Sequence, residues 1–434
     1  MRTTTHLVRR GAYAAALALL VTGVASVPAL AAGTTPTTLA PNDGVGGDLF
    51  GESTATSTNG AVTVVGSPEH NSSGAVYVFT GAGSAATQTA ELTPSNPQAD
   101  EQFGQTVAIS GDGQTLVAAA PGAAGAGASD EGAAFVFTNT GGTWTQIATL
   151  SVPGTAGLGT SLAISTDAST IVLGSPTSNN DNGEAFVFTK SGGTYVQTQE
   201  LTEPASSTSS AAVLARAVSP AKKKPKPAPA PAPATPALLG ASTAISANGS
   251  TIAFGEEAVG VTDVFTKAAG ASTWTQTAQL PGGGSSVAVS GDGTIVAAGQ
   301  SGINNLNGAL FVFKESGSTF TEASEVLPPA NNTIAADAAG SNVGMSADGS
   351  VIAFGAPTAT AGGALESGSV FVATEASAGT WSLTGTDNSP TPVSDDDLGG
   401  GDQSVAVAGN GSAIVAGARA ANGQTGQAFV FPVS

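Results

Sequence analysis

Phe103-Gly104-Gln105-Thr106-Val107-Ala108-Ile109-Ser110-Gly111-Asp112-Gly113 is followed by Thr115-Leu116-Val117-Ala118-Ala119-Ala120-Pro121. After a variable loop come Gly132-Ala133-Ala134-Phe135-Val136-Phe137-Thr138, then Gly141-Gly142-Thr143-Trp144-Thr145-Gln146-Ile147-Ala148-Thr149-Leu150. Four short β-patterned runs separated by turns make one unit of about 50 residues, the length of a four-stranded propeller blade. The unit recurs. Its first tight turn reads Asn59-Gly60, Asp112-Gly113, Asp167-Ala168, Asn248-Gly249, Asp292-Gly293, Asp348-Gly349 and Asn410-Gly411. The Asn-Gly and Asp-Gly pairs among them favour tight hairpins, because both residues tolerate positive φ. Its third run reads Val76-Tyr77-Val78-Phe79, Phe135-Val136-Phe137, Phe186-Val187-Phe188, Asp263-Val264-Phe265, Phe311-Val312-Phe313, Val370-Phe371-Val372 and Phe429-Val430-Phe431. Aromatic and β-branched residues at period two suit a buried pleated strand. Seven turns and seven third strands predict an all-β fold, a seven-bladed β-propeller of four-stranded antiparallel blades.

The blades run over approximately 47–94, 100–153, 156–204, 238–281, 282–328, 339–385 and 401–434. The last copy stops at Phe431-Pro432-Val433-Ser434, without an outer strand. Complete units end in a leucine followed closely by proline, as in Leu92-Thr93-Pro94 and Leu280-Pro281, and Leu39-Ala40-Pro41 repeats that ending near the N-terminus. Residues 37–41 are therefore expected to complete blade seven and close the ring, so that no strand edge is left open.

The units resemble FG-GAP repeats, which build the propeller of integrin α-subunits and of many secreted bacterial proteins. Phe50-Gly51 and Phe103-Gly104 match the FG element, and Gly66-Ser67-Pro68, Gly174-Ser175-Pro176 and Gly355-Ala356-Pro357 match the GAP element. Leu158-Gly159 replaces Phe-Gly in blade three, and Gly299-Gln300 and Gly417-Ala418 end their strands without proline. In the integrin-type repeat, calcium loops lie between the first and second strands. Here that connection has shrunk to a turn with one carboxylate, too few for a cation that needs six or more oxygens. The calcium function is not carried over.

Residues 1–31 read as an export signal: Arg2, Arg9 and Arg10, an apolar run from Ala14 to Ala25, and Ala29-Leu30-Ala31 for cleavage. The apolar run is short for a membrane span, so no transmembrane anchor is expected after cleavage. Without cysteine, a core of packed blades must replace disulfides. The chain carries 12 basic and 31 acidic residues; losing residues 1–31 removes three arginines and no acid, which leaves a net charge of −22. Such a surface disfavours nucleic acid as a partner. Five of the remaining bases, Arg216, Lys222, Lys223, Lys224 and Lys226, fall in a Pro/Ala/Lys-rich insertion over 206–236 between blades three and four. Alternating Ala-Pro there predicts an extended, disordered arm whose basic tip suits anionic cell-wall polymer.

The connections between second and third strands and between blades hold most of the length variation, and they share one face of the disc. Binding is expected on this long-loop face, at Asp130, Glu131, Asp181, Glu184, Glu256, Glu257 and Glu366. A weak cation loop is considered at Asp395, Asp396, Asp397 and Asp402; weak calcium binding there is the only cofactor expectation, and no metal site is assigned. No catalytic residue is assigned. The histidines are His6, in the signal, and His70, in a Glu-His-Asn-Ser-Ser loop, so a nucleophilic triad lacks a positioned base. The expectation is a secreted, non-enzymatic binding, adhesion or protein-interaction propeller whose partner is an extracellular protein or a glycan. The alternatives are a polysaccharide hydrolase or lyase using paired carboxylates, and a scaffold within an envelope assembly.

Overall fold

The computed structural model describes residues 35–124, 130–203, 238–329, 337–377 and 379–433. The export signal and the 206–236 insertion lie outside the described residues. Seven four-stranded antiparallel sheets form a ring. Blade two shows the plan: strands Thr106–Ile109, Thr115–Ala120, Ala133–Thr140 and Thr143–Leu150 run in sequence from the central channel to the rim. Blade seven is completed from the other end of the chain. The strand Thr37–Leu39 pairs antiparallel with Gln427–Pro432, setting Thr37 against Val430, Thr38 against Phe429 and Leu39 against Ala428. Leu39 is buried beside Phe50, Val65, Tyr77, Val415 and Val430, at the contact between blades seven and one.

The core is a set of inter-blade layers. Val117, Val136 and Leu150 of blade two, for example, pack on Leu162, Ile171, Leu173 and Phe186 of blade three. All six blades with their own outer strand carry a register shift between third and fourth strands, such as Val136/Phe137 or Val264/Phe265, and blade six carries a second. A bulge there increases local twist, which a radial blade requires.

The FG and GAP elements have a shared physical reason. The glycine ending the second strand of one blade lies on the glycine after the FG-type residue of the next. A Cβ on Gly66 would collide with the Gly104 carbonyl, and one on Gly417 with that of Gly51. The residue before the second glycine is the interlayer plug: Phe50, Phe103, Leu158, Leu239 and Leu398 are all fully buried.

The first turns differ from the expectation. In Ser110–Gly113 the Gly113 N–H donates to the Ser110 carbonyl at 2.9 Å, and Gly113, not Asp112, takes positive φ. Asp112 acts through its side chain instead. Its Oδ1 accepts from the Ser110 hydroxyl at 2.6 Å and from the Gln114 N–H at 2.9 Å. The same Ser–Asx pairing recurs at Ser57/Asn59, Ser165/Asp167, Ser246/Asn248, Ser290/Asp292 and Ser346/Asp348. In the competition between a left-handed backbone and a local side-chain hydrogen bond, the side chain wins at Asx.

Outer strands are tied back to these turns. Trp274 and Trp381 are buried, and their indole N–H groups donate to the carbonyls of Gly249 at 3.1 Å and Gly349 at 2.9 Å. The Tyr195 hydroxyl donates to Ala168 at 2.6 Å.

Candidate functional sites

The predicted acids lie on the long-loop face but do not converge there. Asp130, Asp181, Glu257 and Glu366 are exposed and spread over blades two, three, four and six. Glu184 is half-buried, and burial with the nearby Glu200 raises its pKa. Glu131 is buried and accepts from the Gly154 N–H at 3.1 Å, so it caps the loop behind it. Several other acids of this face do the same job. Asp48, Glu101 and Asp396 each stand two residues before an interlayer plug and accept from the N–H three positions back, at Val45, Gln98 and Val393. Much of the acidity of this face therefore holds its turns.

The 395–402 loop is divided among different partners. Asp395 is exposed, and Asp396 is spent on its turn. The Arg419 Nε donates to Asp397 at 2.7 Å, while Arg419 Nη1 donates to both oxygens of Glu52 at 3.0 and 3.1 Å. Asp402 accepts from Gln105 Nε2 at 2.6 Å. Arg419 thus joins blade seven to blade one, a contact between residues 367 positions apart that no local pattern announces. Nearby, Gln403 Nε2 reaches across the channel to the Leu162 carbonyl at 3.0 Å. Below it, the first strands enclose a cavity of about 230 Å³ lined by residues such as Val107, Leu162, Val287 and Val405.

Glu256 ends the strand Thr251–Glu256 at that face but is buried and not displayed to solvent. It meets Asp263 and the half-buried Glu203 where blades three and four join, with carboxylate oxygens within 4.8 Å of one another. Glu256 Oε1 and Asp263 Oδ2 are buried without a hydrogen-bond donor, while Gln279 Nε2 donates to the other Asp263 oxygen at 3.1 Å. Acceptors alone cannot satisfy one another, so protons must be held here. Burial first, then the neighbouring Asp263 and Glu203, push Glu256 up to about 10; burial and Glu203 push Asp263 up to about 8. Asp263 occupies the place that phenylalanine holds in blades two, three and five, and that break in the repeat is the sequence signal for this cluster.

A second cluster surrounds His70, which the sequence reading left without a role. The short turn His70–Ser72 buries the imidazole at 3% exposure, and Asp48 Oδ2 lies 2.9 Å from Nδ1. That carboxylate fixes the orientation of the ring and leaves Nε2 turned to the other side. Nε2 faces Asp43 Oδ2 at 3.7 Å, Glu91 Oε1 at 3.8 Å and the Asn71 amide at 2.8 Å. The Tyr77 hydroxyl donates to Asp43 Oδ1 at 3.0 Å. Burial, then Asp43, raises the pKa of Glu91. The groups facing Nε2 are two carboxylates and an amide, which suit a cation better than the nucleophile of a triad. His70 and Glu91 belong to blade one, and the segment that follows the closing strand Thr37–Leu39 brings Asp43 to them.

Comparison with known proteins agrees with this architecture. Residues 34–79 and 86–137 match the profile of the FG-GAP repeat. No curated protein matches the chain. Among solved structures, the Cps50 (Swd1) β-propeller domain of Myceliophteria thermophila superposes with a TM-score of 0.56 at 8% identity, over 92% of this chain and all of that one. A proposed 6-phosphogluconolactonase from Bacteroides uniformis superposes with a TM-score of 0.50 at 13% identity, over 85% of this chain and 89% of that one. At such identities the likeness is one of fold alone. The chain is a seven-bladed β-propeller whose residues 34–79 and 86–137 carry FG-GAP repeats.

Proposed function

We infer that the chain is an exported, non-enzymatic propeller that binds an extracellular protein through its long-loop face. One observation carries this reading. Val45, Leu306, Leu327, Leu365 and Val393 are large apolar residues left exposed on the loops of that face, and Leu365 and Val393 are each about 60% exposed. The Asp395 N–H donates to the Leu365 carbonyl at 3.1 Å, which holds the loops bearing Leu365 and Val393 together. Exposed apolar anchors rimmed by charge mark interaction surfaces. The anchors are aliphatic. Sugar-binding clefts use aromatic platforms, and no large aromatic residue is among the exposed apolar side chains described. This favours a protein over a glycan, and a binder over a polysaccharide hydrolase or lyase.

FG-GAP repeats are typical of extracellular proteins, and among the described residues no helix is long and apolar enough to cross a membrane. Both observations fit the export signal read in residues 1–31. The test is crosslinking of the full chain on intact cells of its source, alongside a glycan array scored for retention and cleavage. A protein captured by the wild type and lost from a Leu365→Asp, Val393→Asp variant supports the reading. Retention or cleavage on the array, with no protein captured, overturns it.

A further inference from the structure

The geometry points to a zinc-class divalent-cation site at His70 Nε2, Asp43 Oδ2 and Glu91 Oε1, which clasps the closing segment of the ring to blade one. The donor set is one imidazole nitrogen and two carboxylate oxygens, a mixture that suits zinc and its first-row neighbours better than calcium or magnesium. The three atoms lie within 4.8 Å of one another. Ligands at ~2.0–2.1 Å in a tetrahedron stand roughly 3.3–3.4 Å apart. The observed separations from Nε2, 3.7 and 3.8 Å, require a closure of a few tenths of an ångström. Asp43 and Glu91 are the two half-exposed partners, with side chains 46% and 34% exposed, so solvent gives them room to close and leaves an entry path.

The supporting groups are in place. A metal-binding histidine commonly donates its other N–H to a carboxylate, and Asp48 stands 2.9 Å from Nδ1. Asp48 is itself fixed by the Val45 N–H at 2.8 Å. The Tyr77 hydroxyl binds Asp43 Oδ1 and leaves Oδ2 turned toward Nε2. The Asn71 amide beside Nε2 would have to swing aside or turn its oxygen inward as a fourth donor.

Charge supplies a separate argument. Asp43, Asp48 and Glu91 surround one imidazole, and the described residues include only four lysines and arginines, all engaged elsewhere. Lys190, Lys267 and Lys314 lie over the rings of Tyr195, Trp274 and Trp381, and Arg419 is held by Glu52 and Asp397. Among the described residues, no lysine or arginine is at hand to balance this corner. The site also has a structural consequence. Asp43 follows the closing strand Thr37–Leu39, Glu91 lies on the outer strand Thr87–Leu92 of blade one, and His70 lies in the loop between that blade's second and third strands. A bound cation would pin the N-terminal closure to the blade beside it.

The test is calorimetric titration of zinc into the full chain, prepared without a histidine tag and freed of metal by chelation. One zinc per chain is expected, with a rise in thermal midpoint. Cobalt in its place should give the visible bands of a low-coordinate nitrogen/oxygen site. Glu91→Gln and Asp43→Asn alter half-exposed side chains and spare the core; each should weaken zinc at least tenfold and remove its effect on the midpoint. Asp48→Asn, which reaches the metal through His70 and keeps an oxygen for the Val45 N–H, should weaken zinc by about 10–100-fold. Far-ultraviolet circular dichroism checks that each variant is folded. Absence of saturable zinc binding by the wild type overturns the site. So does unchanged zinc affinity in the folded Asp43→Asn, Glu91→Gln double variant.

Discussion

The main-chain N–H of Asn410 donates to the carbonyl of Thr58 at 2.8 Å, and this bond closes a circle. Thr58 donates to Gly111, Gly111 to Thr166, Thr166 to Ala247, Ala247 to Gly291, Gly291 to Ala347 and Ala347 to Gly409, all at 2.7–3.1 Å. Each blade thus gives one backbone hydrogen bond to the next around the inner rim of the short-turn face. The girdle uses no side chain. It therefore survives at blade seven, where Ala408 replaces the serine of the other first turns. The ring is closed twice, by this girdle at the channel and by Thr37–Leu39 at the rim.

The outer closure is the more vulnerable, because it is short and contributed by one end of the chain. Deleting residues 33–41 strips the edge of Gln427–Pro432 and uncovers the layer around Leu39. The expected loss is several kcal/mol, of which Leu39→Ala alone should account for about 2–4 kcal/mol. Denaturant titration of both variants measures it. A midpoint unmoved by the deletion would exclude a stabilising role for the N-terminal strand.

The inner packing gives a second prediction. Gly417 lies against Gly51 at the joint between blades seven and one, where an added Cβ would strike main chain. Gly417→Ala should cost about 1–3 kcal/mol, since neither backbone can give way without moving its blade. Blade two carries Ala119 at the equivalent position, opposite Gly159, so that joint is already spaced for a methyl group. Ala119→Gly should therefore cost no more than the lost methyl and added chain entropy, about 1 kcal/mol. Equal losses in the two variants would show that the Gly-Gly approach is not what limits the joint.

The ring was legible in the chain because each blade writes its turns and third strand into a contiguous run. Even the N-terminal closure could be read, since Leu39-Ala40-Pro41 copies an ending seen elsewhere. The loop face was legible from loop length, but the roles of its acids were not. Asp48, Glu101 and Asp396 cap turns through an N–H three residues back, and such a cap looks the same in sequence as a solvated acid. The clusters around His70 and Glu256 are harder still. Each adds to residues of one blade a carboxylate from a neighbouring segment, Asp43 in one case and Glu203 in the other, that arrives only as the ring assembles. The one local clue, Asp263 in place of an aromatic residue, reads as repeat decay until Glu203 and Glu256 are seen beside it.

Blade three offers a stabilising change. Six first turns place glycine at the positive-φ position, and the third places Ala168 there, at φ 57°. A left-handed alanine costs roughly 1–2 kcal/mol, while glycine loses roughly 0.5–1 kcal/mol more in chain entropy. Ala168→Gly should therefore raise stability by about 0.5–1 kcal/mol. The bond from the Tyr195 hydroxyl is to the Ala168 carbonyl, so the substitution keeps it. A lower denaturation midpoint for Ala168→Gly would mean that the methyl group packs better than the backbone strain costs.

The carboxyl cluster of blade four predicts how stability varies with pH. Burial first, then Asp263 and Glu203, raise Glu256 to about 10; burial first, then Glu203, raises Asp263 to about 8; burial alone raises Asp387 to about 6. In the unfolded chain these groups ionise near their ordinary values of 4.5 and 3.8. Between those values and the raised ones, the folded protein holds protons that the unfolded chain has released. Their contribution is fully present below about pH 4 and is lost as pH rises through the raised values. Asp167, Asp292 and Asp348 run the other way. Burial pushes them up, but bonds from the turn serines and N–H groups outweigh it and leave them lowered, so their contribution is lost as pH falls below the usual aspartate range. Stability should therefore peak on the acid side of neutrality and fall from pH 5 to pH 8. The surplus of acids adds a repulsive slope of the same sign, so the wild-type profile alone does not isolate the cluster. Glu256→Gln does, because it keeps the shape and removes the ionisable group. It should flatten the profile and gain of order 2 kcal/mol at pH 8 relative to pH 5. Urea titrations of both proteins at the two pH values decide it, and identical pH slopes would show that Glu256 ionises in the folded ring as freely as in the unfolded chain.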